Sequence, residues 1–239
     1  MPKTLRRLLR QTGLSAAAFR LWQVAAKLYT PWKVRQYLKG HDLKKLQIGT
    51  GINVLAGWLN TDLLPDPRRG EIAFLDARKR FPFADCAFDY VFSEHLIEHM
   101  EYAEGVKMLR ECFRVLRPGG KIRIATPDLR FLVGLYSSEK TDLQKRYIVW
   151  AVDTHISKTG IHQDVFVINN FFQSWGHRFI YDERVLTDTL VRIGFRDVMR
   201  CAVGDSTDDH LKGLESHGRS VTDEFNRLET LVVEATRAH

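Results

Sequence analysis

The stretch LQIGTG, residues 46–51, ends an apolar run with two glycines that are separated by a single threonine. Gly49 and Gly51 permit a tight backbone turn and let a ligand approach the main chain without an intervening side chain. In open α/β sheets, ligands bind outside the carboxyl ends of the strands. The stretch therefore predicts the first strand of an α/β domain, with a ligand site where that strand ends.

Short apolar segments and amphipathic helical segments alternate downstream of this turn. We predict strands at 43–48, 58–63, 71–75, 88–92, 121–125, 197–203 and 230–235. We predict helices after Ser93 and at 102–116, 142–155 and 182–193, the last of them capped by Gly194. Strand–helix alternation of this kind favours a mainly parallel sheet with helices on its faces.

Polar residues follow the next three predicted strands. The second strand ends in Asp62, whose carboxylate can accept two hydrogen bonds from a ribose diol. The third ends in Asp76, followed by the backbone amide of Ala77, and the fourth ends at Ser93. A glycine turn, two acids and a polar cluster at successive strand ends fit a nucleoside ligand.

The chain resembles the class I S-adenosylmethionine-dependent methyltransferases of the methyltransferase-11 type over roughly residues 44–235. The motifs that carry the resemblance are LQIGTG, NTD, LDARKRFPFADCAFDYVFSEHLIEHM, LRECFRVLRPGGKIRIATPD and GHRFIYDERVLTDTLVRIGF. It implies a Rossmann-like, mainly parallel seven-stranded sheet with a C-terminal antiparallel hairpin, and S-adenosylmethionine as the cofactor. The cofactor contacts that it implies are Gly49, Thr50, Gly51, Asp62, Leu63, Asp76, Ala77, Ser93 and His95.

Two features depart from that family pattern. Asn53 stands where the third glycine of G-x-G-x-G is expected. The connections at 49–57 and 65–70 are shorter than the dozen or more residues that a helical crossover needs, although extended chain can still span them. Part of one sheet face is therefore expected to lack its usual helical cover.

The stretch SEHLIEHM, residues 93–100, allows several interpretations. His95, Glu98 and His99 form the H-x-x-E-H pattern of inverted zinc peptidases and would share one face of a helix. Some small-RNA 2′-O-methyltransferases and quinone O-methyltransferases carry E-x-x-E-H here and bind a divalent ion, whereas His95 replaces the first glutamate in this chain. We favour the lip of the cofactor pocket, with His99 as a proton acceptor, and leave a metal at these three residues open.

Two further residues are candidates for the catalytic base. His177, in WGHRFIYD, precedes a predicted helix where family members place active-site groups, and Asp128 follows the fifth strand. For both, a structural role as a helix cap is the alternative. His155, His162 and the cluster 208–210 are expected to be mostly solvated.

The N-terminal 40 residues carry the excess positive charge. The whole chain has a net charge of +7, and residues 1–40 hold nine basic residues and no acidic one. We therefore divide the chain into a basic helical arm, 1–40, and a methyltransferase domain, 41–239. A stripe in the arm consists of Ala18, Leu21, Trp22, Ala25, Leu28, Tyr29 and Trp32, and Pro31 is expected to end or kink its helix.

The arm has three interpretations: a membrane-surface helix on anionic lipid, a nucleic-acid contact, or a helix whose stripe packs on the sheet. We favour packing, because the short crossovers leave apolar surface to cover, and nucleic acid has the weakest support. The sequence contains no transmembrane span, no secretory signal is evident, and the three scattered cysteines suit a reducing compartment. We expect a cytoplasmic protein, with a weak peripheral membrane contact as the alternative.

The predicted activity is methyl transfer to an oxygen of a small molecule or glycan. The fourth strand is not followed by the N/D-P-P-Y/F stretch used for exocyclic amines, and no cysteine follows a strand end as carbon-5 pyrimidine methylation requires. The alternatives are a non-catalytic S-adenosylmethionine-fold binding module and, with less support, a metallopeptidase based on H-x-x-E-H.

Overall fold

The computed structural model describes residues 16–66, 69–156, 160–217 and 221–238. Its strands are β1 (Lys45–Ile48), β2 (Leu59–Asp62), β3 (Ala73–Phe74), β4 (Phe88–Glu94), β5 (Leu116–Pro127), β6 (Phe195–Cys201) and β7 (Thr230–Arg237). Its α-helices are α1 (Ala16–Gly40), α2 (Tyr102–Val115), α3 (Leu129–Leu135), α4 (Asp142–His155), α5 (Asp164–Gln173), α6 (Glu183–Ile193) and α7 (Asp223–Glu229). A short 3₁₀ helix, Ile97–His99, follows β4.

The strands form one seven-stranded sheet in the order β3-β2-β1-β4-β5-β7-β6. β1 to β5 are mutually parallel, and β7 runs antiparallel to both of its neighbours, β5 and β6. This arrangement confirms the predicted Rossmann-like sheet with antiparallel strands at its C-terminal edge. The carboxyl ends of β1, β2 and β4 lie side by side, because Ile48 pairs with both Thr61 and Ser93.

The predicted element bounds differ from the structure in specific places. β5 begins at Leu116 rather than at 121, because Leu116 pairs with Phe88 before an irregularity in register that ends where Lys121 pairs with Tyr90. Helices α3, α5 and α7 were not predicted. Two of them begin after a residue type that is common at the N-cap, Asp128 for α3 and Thr222 for α7. Gly194 caps α6 in the left-handed conformation, as predicted.

One face of the sheet is apolar and covered by helices. This helix-covered face contains Leu46, Val91, Ile122, Ile124 and Val233, all of which are buried. Helices α2 and α6 contribute Met108, Leu109, Cys112, Leu186 and Leu190 to the same core. Burial of this apolar area provides the main stabilisation on this side.

The other face is covered mainly by the connection between β6 and α7. This loop-covered face contains Phe92, Arg123, Ala125, Val232 and Glu234. Residues 202–217, which we call the strap, lie across it, with Leu211 and Leu214 packing in a cluster with Trp58 and Phe92. The described residues 49–58 between β1 and β2 form turns and no helix, as the short crossover predicted, and the strap provides cover where a helix would usually lie.

Charged side chains fasten the strap to the sheet. The Arg123 guanidinium donates to Glu215 Oε1 at 2.5 Å and to the Asp205 carbonyl at 2.8 Å, and it also pairs with Glu234. Asp208 accepts hydrogen bonds from the Lys121 ammonium at 2.8 Å and the Tyr90 hydroxyl at 3.0 Å. Asp208 is therefore not solvated as expected, whereas Asp209 and His210 are exposed.

Helix α1 packs against the sheet, but not through the predicted stripe. Its buried residues are Ala26, Thr30 and Val34, whereas Leu28 and Trp32 of the stripe are exposed. The Thr30 hydroxyl accepts from the amide of Phe74 in β3 at 2.8 Å, so small residues allow the helix to approach the edge strand closely. Most of the predicted stripe therefore points away from the sheet, whereas Trp22 of the stripe is partly buried and donates its indole N–H to the Pro65 carbonyl.

Pro31 neither ends nor breaks α1, which continues to Gly40. Proline has no amide hydrogen, so the carbonyl four residues before Pro31 lacks its usual helical donor. Because Pro31 is exposed, this carbonyl lies on the solvated side of the helix. Arg6, Arg7 and Arg10 of the basic arm lie outside the described residues. Among the described residues, no helix is both long and apolar enough to cross a bilayer.

Candidate active site

The loop after β1, residues 49–53, forms the first wall of the site, and we call it the cofactor loop. Gly49 and Gly51 have φ values of 74° and 53°, which favour glycine. A Cβ atom on Gly49 would lie 2.9 Å from the Leu96 side chain. A larger residue here would therefore have a strained backbone and would also clash with Leu96. The amides of Gly49 and Thr50 both donate to the Thr61 carbonyl, which holds the loop over the end of β2.

Asp62 and Asn53 stabilise the shape of the cofactor loop. The two carboxylate oxygens of Asp62 accept from the amides of Gly51 and Leu64, each at 2.8 Å. Asn53, in place of a third glycine, closes the turn by donating its amide to the Thr50 carbonyl at 2.8 Å. Each Asp62 oxygen keeps one lone pair, so the carboxylate can still accept a hydroxyl while it holds the loop.

The third strand end lies next to the second. The Leu75 amide donates to the Asp62 carbonyl at 2.9 Å, which brings Asp76 and the buried Ala77 to the same edge of the sheet. The Asp76 carboxylate accepts two side-chain hydrogen bonds from Arg78. Partial burial opposes ionisation of Asp76, but these bonds and the charge of Arg78 outweigh it and lower the pKa of this carboxyl.

Buried hydroxyl groups beside the loop indicate a missing polar partner. Among the described residues, Thr50 Oγ1 and Ser93 Oγ are buried and have no hydrogen-bond partner. A cavity of about 230 Å³ lies between the cofactor loop, the end of β4 at Glu94 and His95, and the strap at Ser216 and His217. An unpaired buried hydroxyl is costly, and a polar ligand in this cavity would satisfy that of Thr50, which lines it. The residues present therefore fit the methionine part of S-adenosylmethionine, with Asp62 available for ribose hydroxyls.

The stretch after β4 does not form the α-helix that a shared face of His95, Glu98 and His99 requires. His95 has a φ of 46°, and only Ile97–His99 form a single 3₁₀ turn. The expected helical geometry is therefore wrong. The three side chains still approach one another, with His95 Nδ1 at 3.3 Å and His99 Nε2 at 4.0 Å from Glu98 Oε1.

Glu98 is fully buried between these histidines. Its Oε2 accepts from the Thr126 hydroxyl at 3.1 Å, and its Oε1 makes no hydrogen bond of good geometry to a described residue. Burial would raise the pKa of Glu98, but the neighbouring His95 and His99 outweigh this effect and hold the pKa at about 2. Burial likewise opposes protonation of His95, and the carboxylates of Glu98, Glu229 and Glu94 raise its pKa overall. Glu98 is thus a permanent negative charge in the wall.

A second cavity, of about 490 Å³, adjoins the first one, and we call it the acceptor cavity. The two cavities share His95 and His217, so the acceptor cavity opens beside the end of the cofactor site. Its aromatic lining consists of Tyr147, Trp150, Phe171 and Trp175, and its polar lining includes His95, Glu98, His99, His155, His177, His217 and Glu229. Flat aromatic faces combined with several hydrogen-bonding groups suit a small ring-containing or polyhydroxylated molecule.

His99 and His177 stand together in this wall. Their ring centroids are 5.0 Å apart, and the His177 Nδ1 atom lies 2.8 Å from the Phe171 carbonyl, which can only accept. In the neutral ring, Nε2 of His177 therefore carries the lone pair. Burial lowers the pKa of His177 and keeps it uncharged. Ligand atoms of Glu98, His99 and His177 lie within 4.8 Å of one another, a spacing that could hold a divalent cation.

Several residues of the acceptor cavity were not identified from the sequence. His217 Nε2 lies 3.2 Å from Glu229 Oε1, the Tyr147 hydroxyl donates to the same carboxylate, and the His217 ring lies against the His95 ring. Glu94 accepts the amides of Ser216 and His217 at 2.8 and 2.9 Å, which fixes the end of the strap. These residues come from α4, α7 and the strap, and no local motif connects them.

The other predicted site residues are Ser93, His95, Leu63 and Asp128. Ser93 and His95 lie in the wall between β1 and β4, and Leu63 is partly exposed beside Asp62. Asp128 is buried, caps α3 by accepting the Arg130 amide, and pairs with Arg200 at 2.8 Å. It is not part of the acceptor-cavity lining, and its contacts are those of the structural alternative.

The methyltransferase domain family matches residues 46–124, which include the cofactor loop, Asp62, Asp76 and the segment after β4. No curated protein matches the chain.

Several solved structures are similar to this chain at a sequence identity of 15–16%. An S-adenosylmethionine-dependent methyltransferase from Archaeoglobus fulgidus is 16% identical with a TM-score of 0.49, and the alignment covers 97% of this chain and 99% of that one. One from Mesorhizobium loti is 16% identical with a TM-score of 0.49, covering 86% and 98%. Phosphoethanolamine N-methyltransferase 2 from Haemonchus contortus, in complex with S-adenosyl-L-methionine, is 15% identical with a TM-score of 0.45; 87% of this chain aligns, over 52% of that one.

This chain thus spans about half the length of the Haemonchus protein. The acceptors of those proteins are not carried over to it. The family match over residues 46–124 lies on the strands that build the cofactor loop and its acidic neighbours. Over residues 46–124 the chain is therefore similar to the methyltransferase domain family, in agreement with its sequence resemblance to the methyltransferase-11 type.

Proposed function

We propose that the chain transfers a methyl group to a hydroxyl oxygen of a small molecule or glycan bound in the acceptor cavity. The observation that carries this proposal is the contact between the two cavities at His95 and His217, with His99, Glu98 and His177 in the acceptor wall. When bound, S-adenosylmethionine supplies the electrophilic methyl group. The protein contributes placement of the acceptor and removal of its proton.

His99 is the better placed of the two histidines to accept that proton. The Glu98 carboxylate is near both rings and lies 4.0 Å from His99 Nε2, but burial lowers the pKa of His177 and disfavours its charged form. His177 is kept neutral by burial, so it suits a different task. Its Nε2 lone pair can accept a hydrogen bond from a second acceptor hydroxyl and orient the molecule. These roles support an oxygen acceptor.

The aromatic lining restricts the shape of the acceptor. Tyr147, Trp150 and Phe171 line the cavity with rings whose centroids are 5.2–5.5 Å from neighbouring rings. The buried carboxylates lie against protein groups: Glu229 binds Tyr147 and His217, while Glu98 accepts from Thr126 through Oε2 and has His95 Nδ1 3.3 Å from its Oε1. A cationic amine would compete with those partners, whereas a neutral hydroxylated ring would not.

A transfer assay tests the proposal. The full chain, incubated with methyl-labelled S-adenosylmethionine, is screened against hydroxylated metabolites and oligosaccharides, with primary amines in parallel. We expect label on an oxygen and a loss of at least about a hundredfold in kcat for His99→Gln, with unchanged affinity for S-adenosylhomocysteine. His162→Gln, which changes an exposed histidine outside the lining of both cavities, is the matched control.

Other outcomes would replace the proposal by a specific alternative. Label found on amines alone would contradict the oxygen acceptor. Binding of S-adenosylhomocysteine without transfer to any compound would favour the non-catalytic binding module. Activity that is lost with a chelator and restored by a divalent metal would assign Glu98, His99 and His177 to a metal instead of proton transfer.

A further inference from the structure

Helix α1 has two faces of different character. Ala26, Thr30 and Val34, spaced four residues apart, form the face that is buried against the edge of the sheet. Leu21, Leu28 and Trp32 lie within about 40° of one another around the helix axis, on the side opposite to that face. The larger apolar residues therefore point away from the protein.

This outer stripe is exposed to an unusual extent. Leu28 is 75% exposed, Leu21 is 72% exposed and Trp32 is 60% exposed, and Val24 and Tyr29 flank them with more than half of their surface accessible. Single exposed apolar residues are common on soluble proteins, but a contiguous row of this size marks an interaction surface.

Charge indicates what covers the stripe. Residues 1–40 contain nine basic residues and no acidic one, and the first acidic residue of the chain is Asp42. Along the described helix, Lys27, Arg35 and Lys39 are exposed, and Arg35 and Lys39 continue the outer face beyond Trp32. The surface is therefore both apolar and cationic, which is complementary to an anionic and amphiphilic partner.

We propose that the outer stripe of α1 docks on the surface of an anionic membrane, with the helix lying in the plane of the interface. Leucine, tryptophan and tyrosine on one side and lysine and arginine nearby are the composition that interfacial helices use. Phospholipid headgroups of negative charge attract basic segments without a specific pocket. Helix α1 carries too many charged residues to span the bilayer, in agreement with the absence of a spanning helix among the described residues.

Self-association through the same stripe is opposed by its charge. A symmetric dimer would bring two basic segments together, with no acidic residue in either 1–40 segment to compensate. On its other side, α1 is attached to the domain by two hydrogen bonds. The Trp22 indole N–H donates to the Pro65 carbonyl, and the Lys33 ammonium donates to the Ile72 carbonyl. Docking thus needs no detachment of the helix from the sheet.

Vesicle flotation of the full chain tests the proposal. We expect binding to phosphatidylcholine vesicles that contain phosphatidylglycerol, at least tenfold weaker binding to phosphatidylcholine alone, and weakening by added salt. The double variant Leu28→Glu with Trp32→Glu should lose at least tenfold in binding to the mixed vesicles. The control is Val133→Glu with Val191→Glu, which adds the same charge at exposed apolar positions on α3 and α6 and should bind as the unchanged chain does.

Two further readouts keep the result specific. The stripe variant should melt at the same temperature as the unchanged chain and sediment in the same way. A lower melting temperature would show that residues of this chain cover the stripe, and a change in sedimentation would show that a second copy does. Either result, or failure of the unchanged chain to float with anionic vesicles at low salt, would overturn the membrane proposal.

Discussion

The two faces of the sheet are covered by different means. On the helix-covered face, α2 and α6 bury an apolar core that includes Leu109, Ile122 and Leu190. On the loop-covered face, the strap is held by a buried guanidinium, several carboxylates and a small apolar cluster around Trp58. The first arrangement rests on apolar contacts between the helices and the sheet. The second one connects the cover of the sheet directly to the binding site, since the strap ends at His217 between the two cavities.

The largest effect on stability is expected from removal of the buried positive charge of Arg123, which holds the strap. Arg123 is completely buried, and Arg123→Ala would leave Glu215 and Glu234 buried without their cation. We expect a loss of about 3–5 kcal/mol in the free energy of unfolding, measured by urea denaturation. Ile124→Val, on the helix-covered face of the same strand, should cost about 1 kcal/mol. Similar small losses for both would show that the ionic cluster does not hold the strap.

A smaller effect is expected on cofactor affinity. Glu94 binds the Ser216 and His217 amides and the Asn53 side chain, so Glu94→Ala should loosen the strap end and the cofactor loop together. We expect about a tenfold loss in affinity for S-adenosylhomocysteine by calorimetry, which corresponds to about 1.4 kcal/mol. The matched control is Glu111→Ala, which also removes a carboxylate that holds a backbone amide, that of Phe81, but on the helix-covered side. Equal losses for both variants would contradict a special link between strap and site.

Acid should loosen the strap before it loosens the helices. Burial would raise the pKa of Asp208, but its bonds to Lys121, the His210 amide and Tyr90 outweigh burial and lower it from the ordinary value of 3.8. A carboxyl that is more acidic when folded stabilises the protein above its unfolded pKa and loses that contribution as pH falls through the folded pKa. Below pH 3.8, we expect hydrogen exchange to rise first in the strap and later in α6, by about tenfold in rate.

The variant Asp208→Asn provides the control for this pH dependence. Its strap should already exchange faster at pH 6 and show less additional acceleration in acid, because the titrating carboxyl is gone. Exchange that rises at the same pH in the strap and in α6 would indicate acid unfolding of the whole domain instead.

The sequence was informative where local pattern and structure coincide. The glycine turn at 49–51 and the acids at 62 and 76 follow strand ends, and each strand is recognisable from its own apolar run. Hydrophobic periodicity failed in α1 because it assumes that large residues face inward, whereas Ala26 and Thr30 are buried there. The acceptor cavity could not be predicted, because His217 and Glu229 reach it from segments more than 100 residues after His95. Such contacts depend on topology, which no local motif encodes.

Calorimetric titration of the full chain and of its Asp62→Ala variant with S-adenosylhomocysteine tests whether a cofactor site lies at the ends of β1 and β2. Asp62 holds the Gly51 and Leu64 amides and offers the acceptor for ribose hydroxyls, so its loss affects both the loop and the ligand. We expect one bound ligand for the unchanged chain and a ten- to hundredfold weaker affinity for the variant, about 1.4–2.7 kcal/mol. Absence of binding to the unchanged chain, or equal affinity of the two proteins, would contradict a cofactor site at the ends of β1 and β2.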